Sequence, residues 1–119
     1  MTILIVEDEP YTSTVLAIVL ENKGYPVASV TNGLEALIYL QQQITLPRLI
    51  LLDLSMPVMD GWEFCEAQQR DPALARIPVI VVSALLNGHK DVASIRAQDY
   101  VDKPLVLDTL LDKVARYYH

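Results

Sequence analysis

Three stretches of the chain are almost unbroken in hydrophobicity: TILIV (residues 2–6), LILLDL (49–54) and IPVIVVSAL (77–85). Each is short and rich in Val, Ile or Leu, the pattern of a strand covered on both faces within a parallel sheet. PVASV (26–30) and QDYV (98–101) are weaker strand candidates. Between the runs the period changes. Leu107, Leu110, Leu111, Val114, Ala115 and Tyr118 keep the spacing of one helix face, and Leu34, Leu37, Ile38 and Gln41 repeat it more briefly. A helix over residues 10–23 is predicted from Pro10 in its first turn and Gly24 past its end. Asp60 and Glu63 have the spacing of a capping box that opens a helix through Trp62, Phe64 and Cys65. Residues 87–96 make the weakest helix, short and poorly periodic.

Strand and helix therefore alternate five times. Alternation of this kind predicts right-handed crossovers and a doubly wound α/β sandwich. The 119 residues suffice for one core, and no linker, repeat or low-complexity segment divides them, so a single domain over residues 1–119 is expected. Hydrophobic residues make up 52% of the chain, which favours a packed globule over disorder.

Charge narrows the function. The formal net charge is −6, and direct nucleic-acid binding, which needs a basic face to neutralise phosphates, is not expected. No apolar run approaches the roughly 18 residues of a membrane span. The opening MTILIVEDEP lacks a basic n-region and a cleavage site, and one cysteine, Cys65, cannot form an internal disulfide. The expectation is a cytoplasmic protein with no membrane association.

The polar residues that finish the apolar runs carry the chemistry. Glu7 and Asp8 follow the first, Asp53 and Ser55 lie on and after the third, Ser83 ends the fourth and Lys103 follows the fifth. In an open α/β sheet the ligand crevice lies beyond the carboxyl ends of the strands, so all of these would face one cleft. Two carboxylates about 4 Å apart repel by ~4 kcal/mol at an effective dielectric near 20, so three need a cation or shared protons. Hard oxygen donors with no His or Cys among them suit Mg²⁺. A carboxylate beside Mg²⁺, with a lysine and a hydroxyl to take developing charge, is equipped to accept a phosphoryl group.

Taken together, VEDEP, LLDLSMPVMDGWE, VIVVSA and DYVDKP resemble the receiver domains of two-component response regulators, and the resemblance covers essentially the whole chain. It implies a flavodoxin-like five-stranded parallel sheet in order 2-1-3-4-5 with five helices. It implies that Asp53 is the phosphoacceptor. Asp8 and Asp53 would hold Mg²⁺ directly, Glu7 through water, and Ser55 by its main-chain carbonyl. Ser83, Ala84 and Lys103 would contact the phosphoryl group, and Leu85 would shield it from water. Tyr100 would swing between outward and inward rotamers as Ser83 moves, the switch of the output face. The Lys103–Pro104 peptide would be cis.

The resemblance also implies a histidine kinase or phosphotransfer protein as donor, and a downstream protein or fused effector domain as output. The chain would be a monomer or a phosphorylation-dependent dimer, and would catalyse only its own phosphorylation and dephosphorylation. It would be either a stand-alone regulator or a receiver cut from a longer chain. Three departures stand out: Glu-Asp where Asp-Asp is commoner at residues 7 and 8, Ser for Thr at 83, and Arg96 where many relatives have Gly.

Each residue has a plainer reading by itself. Glu7 and Asp8 before Pro10 could cap a helix, Asp53 could be a turn residue, Ser83 a strand-end hydroxyl and Lys103 a solvated lysine; their joint placement at strand mouths argues otherwise. Cys65 reads as apolar filler, His89 as a solvated loop residue, Trp62 as half-exposed, and Tyr117 and Tyr118 as helix packing. A haloacid-dehalogenase-type phosphatase would need a second acid two residues after Asp53, where Ser55 stands. A flavodoxin-like electron carrier would need a hydroxyl- and Gly-rich phosphate loop where VEDEPYT is acidic. A receiver-like interaction module without phosphorylation is the remaining alternative.

Overall fold

The computed structural model describes residues 2–84 and 95–118. Its strands are β1 (Ile3–Val6), β2 (Val27–Val30), β3 (Leu49–Leu52), β4 (Val79–Ser83) and β5 (Asp99–Asp102). The helices are α1 (Pro10–Asn22), α2 (Gly33–Gln42), α3 (Gly61–Arg70) and α4 (Leu107–Tyr117), with a short 3₁₀ turn at Leu74–Arg76. The five strands form one parallel sheet in the order β2-β1-β3-β4-β5, the topology expected. The helix expected over residues 87–96 falls outside the described residues apart from Ile95 and Arg96, which are not helical. His89 and Leu85 also lie outside them. None of the described helices is long and apolar enough to cross a membrane.

Alternation along the strands explains the two layers. Leu4, Val6, Ile50, Leu52, Val79 and Val81 point to one face, where Ala36 and Leu40 of α2 and Phe64 and Cys65 of α3 cover them. Ile3, Ile5, Leu49, Leu51, Ile80, Val82 and Val101 point to the other, under Leu16 and Leu20 of α1 and Leu110 and Val114 of α4. Both faces are apolar because both are buried, which is why β1, β3 and β4 read as continuous runs. The edge strands β2 and β5 are only partly covered and read more weakly.

Caps set the helix starts. The Asp60 carboxylate accepts from Glu63 N at 2.9 Å while Glu63 Oε1 accepts from Asp60 N at 3.1 Å, closing the expected capping box. Asn32 caps α2 by accepting from Glu35 N at 2.9 Å, and Glu35 in return accepts from Thr31 N at 2.8 Å. For α1 the cap is Glu9, which accepts from Thr12 N at 2.7 Å and Tyr11 N at 3.1 Å. The first-turn N–H groups of α1 are thus met by Glu9, while Glu7 Oε2 accepts from Glu9 N at 3.2 Å.

Between β3 and α3 the backbone makes a tight γ-turn. Met59 N donates to Pro57 O at 2.8 Å across Val58, whose φ is +68°. A β-branched residue is strained in this left-handed region, and the Val58 side chain is exposed, so packing does not explain its presence there. Relief of strain worth ~1–3 kcal/mol outweighs the ~0.5–1 kcal/mol entropic cost of glycine. Val58→Gly is therefore expected to stabilise the protein by about 1 kcal/mol in urea unfolding; a lower midpoint would show that the turn is not strained.

Candidate functional site

The parallel register places the acids. Val6 pairs with Leu52, and the ladder continues one step past both strands as Asp53 N donates to Val6 O at 2.9 Å. On the other side, Glu7 N donates to Val30 O at 3.1 Å. Glu7 and Asp53 thus emerge side by side from the carboxyl ends of adjacent central strands. Strand β3 ends at Leu52, two residues earlier than its apolar run, because the chain turns at Asp53. There the Asp53 Oδ1 atom accepts from Leu54 N at 2.8 Å and lies 3.5 Å from Ser55 N.

Oxygens of Glu7, Asp8 and Asp53 lie within 4.8 Å of one another. Glu7 and Asp53 are buried at 3% and 6% exposure, whereas Asp8 reaches solvent. Lys103, just after β5, is the cation that enters this group. Its Nζ bonds Glu7 Oε1 at 2.6 Å and stands 3.6 Å from Asp53 Oδ2. The Lys103–Pro104 peptide is cis. Among the described residues, three carboxylates against one ammonium leave an excess of negative charge in a partly desolvated cleft.

The titration of the group follows from that imbalance. Burial, resisted by the Lys103 hydrogen bond but reinforced by the hydrogen bond and charge of Asp53, pushes Glu7 up to about 7. Burial also disfavours the Lys103 ammonium, yet its bond to Glu7 and the charges of Asp53 and Glu7 outweigh this and raise it. Both shifts have one meaning: the site holds positive charge tightly, whether as a proton or as ammonium. Three acidic oxygens converging with no nitrogen or sulfur donor among them match the chemistry of a hard divalent cation.

The remaining sequence candidates take the following places. Ser55 is exposed two residues after Asp53. Ser83 is fully buried at the end of β4, between the strands that lead to Asp53 and Lys103, and its carbonyl accepts from Lys103 N at 3.3 Å. Ala84 follows it at the surface. Tyr100 on β5 is half-buried, packs on the α2–α3 side of the core, and donates its hydroxyl to Ile95 O at 2.7 Å.

Residues read as structural keep that role. Cys65 is buried, and burial pushes its thiol up to about 12, far from a reactive thiolate. Trp62 is half-buried. Tyr118 packs edge-on against Tyr25 at 4.8 Å, and Tyr117 donates to Gln98 O at 3.3 Å.

Sequence reasoning missed Glu9, Gly33 and Gly61. A carboxylate immediately before an N1 proline was a visible signal for Glu9. At Gly61, a Cβ would stand 2.6 Å from the Asp53 carbonyl oxygen, so α3 can approach the acid only because residue 61 has no side chain.

Comparison with known proteins identifies the class. The family described as response regulator receiver domain matches residues 3–115. The DNA-binding dual master transcriptional regulator RpaA of Synechocystis sp. is 35% identical over 115 residues, 94% of this chain but 46% of its own length. The chain thus spans about half of that relative. The signal receiver domain of a signal transduction histidine kinase from Syntrophus aciditrophicus is 38% identical with a TM-score of 0.88, covering 98% of this chain and 89% of that one. The receiver domain of sensor histidine kinase PA1611 from Pseudomonas aeruginosa PAO1 is 29% identical with a TM-score of 0.88, covering 98% and 96%, and holds a magnesium ion in its active site cleft. The chain belongs to the response regulator receiver domains of two-component systems.

The raised Glu7 value sets a pH dependence. Folded Glu7 binds a proton up to about pH 7 whereas the unfolded chain releases it near 4.5, so stability falls as pH rises across that window. Urea midpoints measured without divalent ions should decline from pH 4.5 to 7, and Glu7→Gln should flatten the decline. An unchanged slope in the variant would contradict the assignment.

Proposed function

We propose that Asp53 accepts a phosphoryl group from a phosphohistidine of a partner histidine kinase or phosphotransfer protein, and that the acquired charge switches the output face. The observation that carries this reading is the Lys103 ammonium set against Glu7 at 2.6 Å and Asp53 at 3.6 Å, among carboxylates clustered within 4.8 Å. Glu7, Asp8 and Asp53, with the main-chain carbonyl of Ser55, would hold Mg²⁺. When bound, the ion neutralises charge on the entering phosphoryl oxygens.

The chain's own groups do the rest. Leu54 N fixes the rotation of the Asp53 carboxylate, so that one oxygen is presented to the donor. The attacking oxygen forms a bond to phosphorus as the phosphorus–nitrogen bond of the phosphohistidine breaks, and the imidazole keeps that electron pair. Lys103, Ser83 and Ala84 N–H take charge on the phosphoryl oxygens. The acyl phosphate adds ~1.5–2 negative charges at pH 7, enough to draw Lys103 from Glu7 and Ser83 toward the new group. Tyr100, anchored to Ile95 O, is the element that this rearrangement biases. The protein is then a self-acting phosphoacceptor and not an enzyme on other substrates. Its output runs through a downstream protein or a fused effector domain.

Access for the donor lies beside Lys103. Tyr11, Thr12, Val15, Pro104, Leu105 and Leu107 line an apolar hollow of about 340 Å³ there. On this reading the hollow receives an apolar helix face of the phosphodonor. Val15→Glu should slow transfer about tenfold or more while leaving Mg²⁺ affinity unchanged, since a charge buried in such a contact is costly. Equal transfer rates would place the contact elsewhere.

The direct test is transfer of labelled phosphate from a phosphorylated histidine kinase. Wild-type protein should take up label in Mg²⁺ and lose it with chelator, and Asp53→Asn should take up none. Label on Asp53→Asn would overturn the assignment. A wild type that stays unlabelled yet binds the kinase would favour the interaction-module reading.

A further inference from the structure

The loop from Asp53 to Gly61 carries the acceptor and is held at two points by residues with no side chain. At its far end Gly61 N donates to Leu54 O at 3.0 Å, and a Cβ on residue 61 would lie 2.6 Å from Asp53 O and 2.8 Å from Leu54 Cα. No slack exists there. The second hold comes from a different part of the chain. Gly33, the first residue of α2, donates its N–H to Met59 O at 2.9 Å. That N–H has no partner inside its own helix, and the loop carbonyl satisfies it. A Cβ on residue 33 would meet Met59 Cγ at 2.8 Å, Met59 O at 3.0 Å and Phe64 Cβ at 3.0 Å.

The turn that bears Gly33 is closed by side-chain hydrogen bonds. Asn32 caps α2 through Glu35 N, and Glu35 Oε1 accepts from both the N–H and the hydroxyl of Thr31 at 2.8 Å. The loop that it meets is tense, because Val58, next to Met59, holds φ at +68°. A capped turn therefore meets, through the Gly33–Met59 hydrogen bond, a strained loop whose two ends are tied together at Leu54 and Gly61.

We infer that Gly33 is a positioning residue: the turn opening α2 is a strut that sets where the 53–60 loop places the Asp53 carboxylate and the Ser55 carbonyl. The functional half of this inference rests on Asp53 and Ser55 having the roles proposed above. The geometric half does not. Pushing Met59 O away from residue 33 moves a loop that cannot yield at Gly61, so the displacement reaches the Leu54 and Ser55 amides that orient Asp53.

The test compares ¹⁵N spectra and Mg²⁺ titrations of wild type, Gly33→Ala, Gly33→Ala/Met59→Ala and Leu20→Ala, the last lowering stability from the opposite layer. Gly33→Ala should shift the Leu54 and Ser55 amides and weaken Mg²⁺ binding about tenfold, the cost usual for disturbing a group that orients metal ligands. Removing Met59 Cγ in the double variant relieves the shortest of the three contacts and should restore both in part, the 3.0 Å approaches to Met59 O and Phe64 Cβ remaining. Leu20→Ala should change neither. Unshifted amides in Gly33→Ala, or equal shifts in Leu20→Ala, would overturn the strut. Should Gly33→Ala fail to fold, Asn32→Ala, which loosens the same turn, must move the same two amides or the inference falls. A wild type that binds no Mg²⁺ would defeat the functional reading alone, since the amide shifts judge the strut with no ion present.

Discussion

Among the described residues, this domain is arranged around an unbalanced cluster of charge: buried carboxylates of Glu7 and Asp53, the accessible Asp8, and the ammonium of Lys103. Such a group is unfavourable by itself. Desolvation and the charge of Asp53 push Glu7 up to about 7, so its ionised form is disfavoured in this cluster. The sheet makes the crowding unavoidable, because parallel strands in register deliver their next residues to neighbouring points on one rim.

The surroundings turn that crowding into a poised site. Helix α1 is capped by Glu9, and of the two Glu7 oxygens one accepts from Glu9 N while the other faces Lys103. Leu54 N tethers one Asp53 oxygen, and Lys103 faces the other. Glycines at 33 and 61 let two helices close on the loop after Asp53, and a γ-turn at Val58 absorbs the sharp change of direction. Strain and close packing are concentrated where the acid must be held still.

Much of this was legible in the residues. The central strands announced themselves because burial on both faces demands unbroken apolar runs, and Asp53 stood out as a charge at the end of one. The Asp60–Glu63 box was readable because both partners are local. Strand ends were less so. The run through Leu54 overshoots β3 because hydrophobicity reports burial, and Leu54 remains buried after the strand has ended. The roles of Gly33 and Gly61 were not readable, since each is explained by atoms distant in sequence: Met59 and Phe64 for one, Asp53 and Leu54 for the other. The short turn at Leu74–Arg76 also escaped, held partly by the buried Gln68 amide donating to Leu74 O and Ile77 O at 2.9 and 3.1 Å.

Proton release on Mg²⁺ binding, followed by calorimetry at pH 6.5 in buffers of different ionisation enthalpy, measures the charge imbalance itself. A substantial fraction of a proton should leave for each ion bound, and Glu7→Gln should abolish the release. Binding with no proton released by the wild type would contradict it, because Glu7 would then already be ionised and the cluster in no need of positive charge.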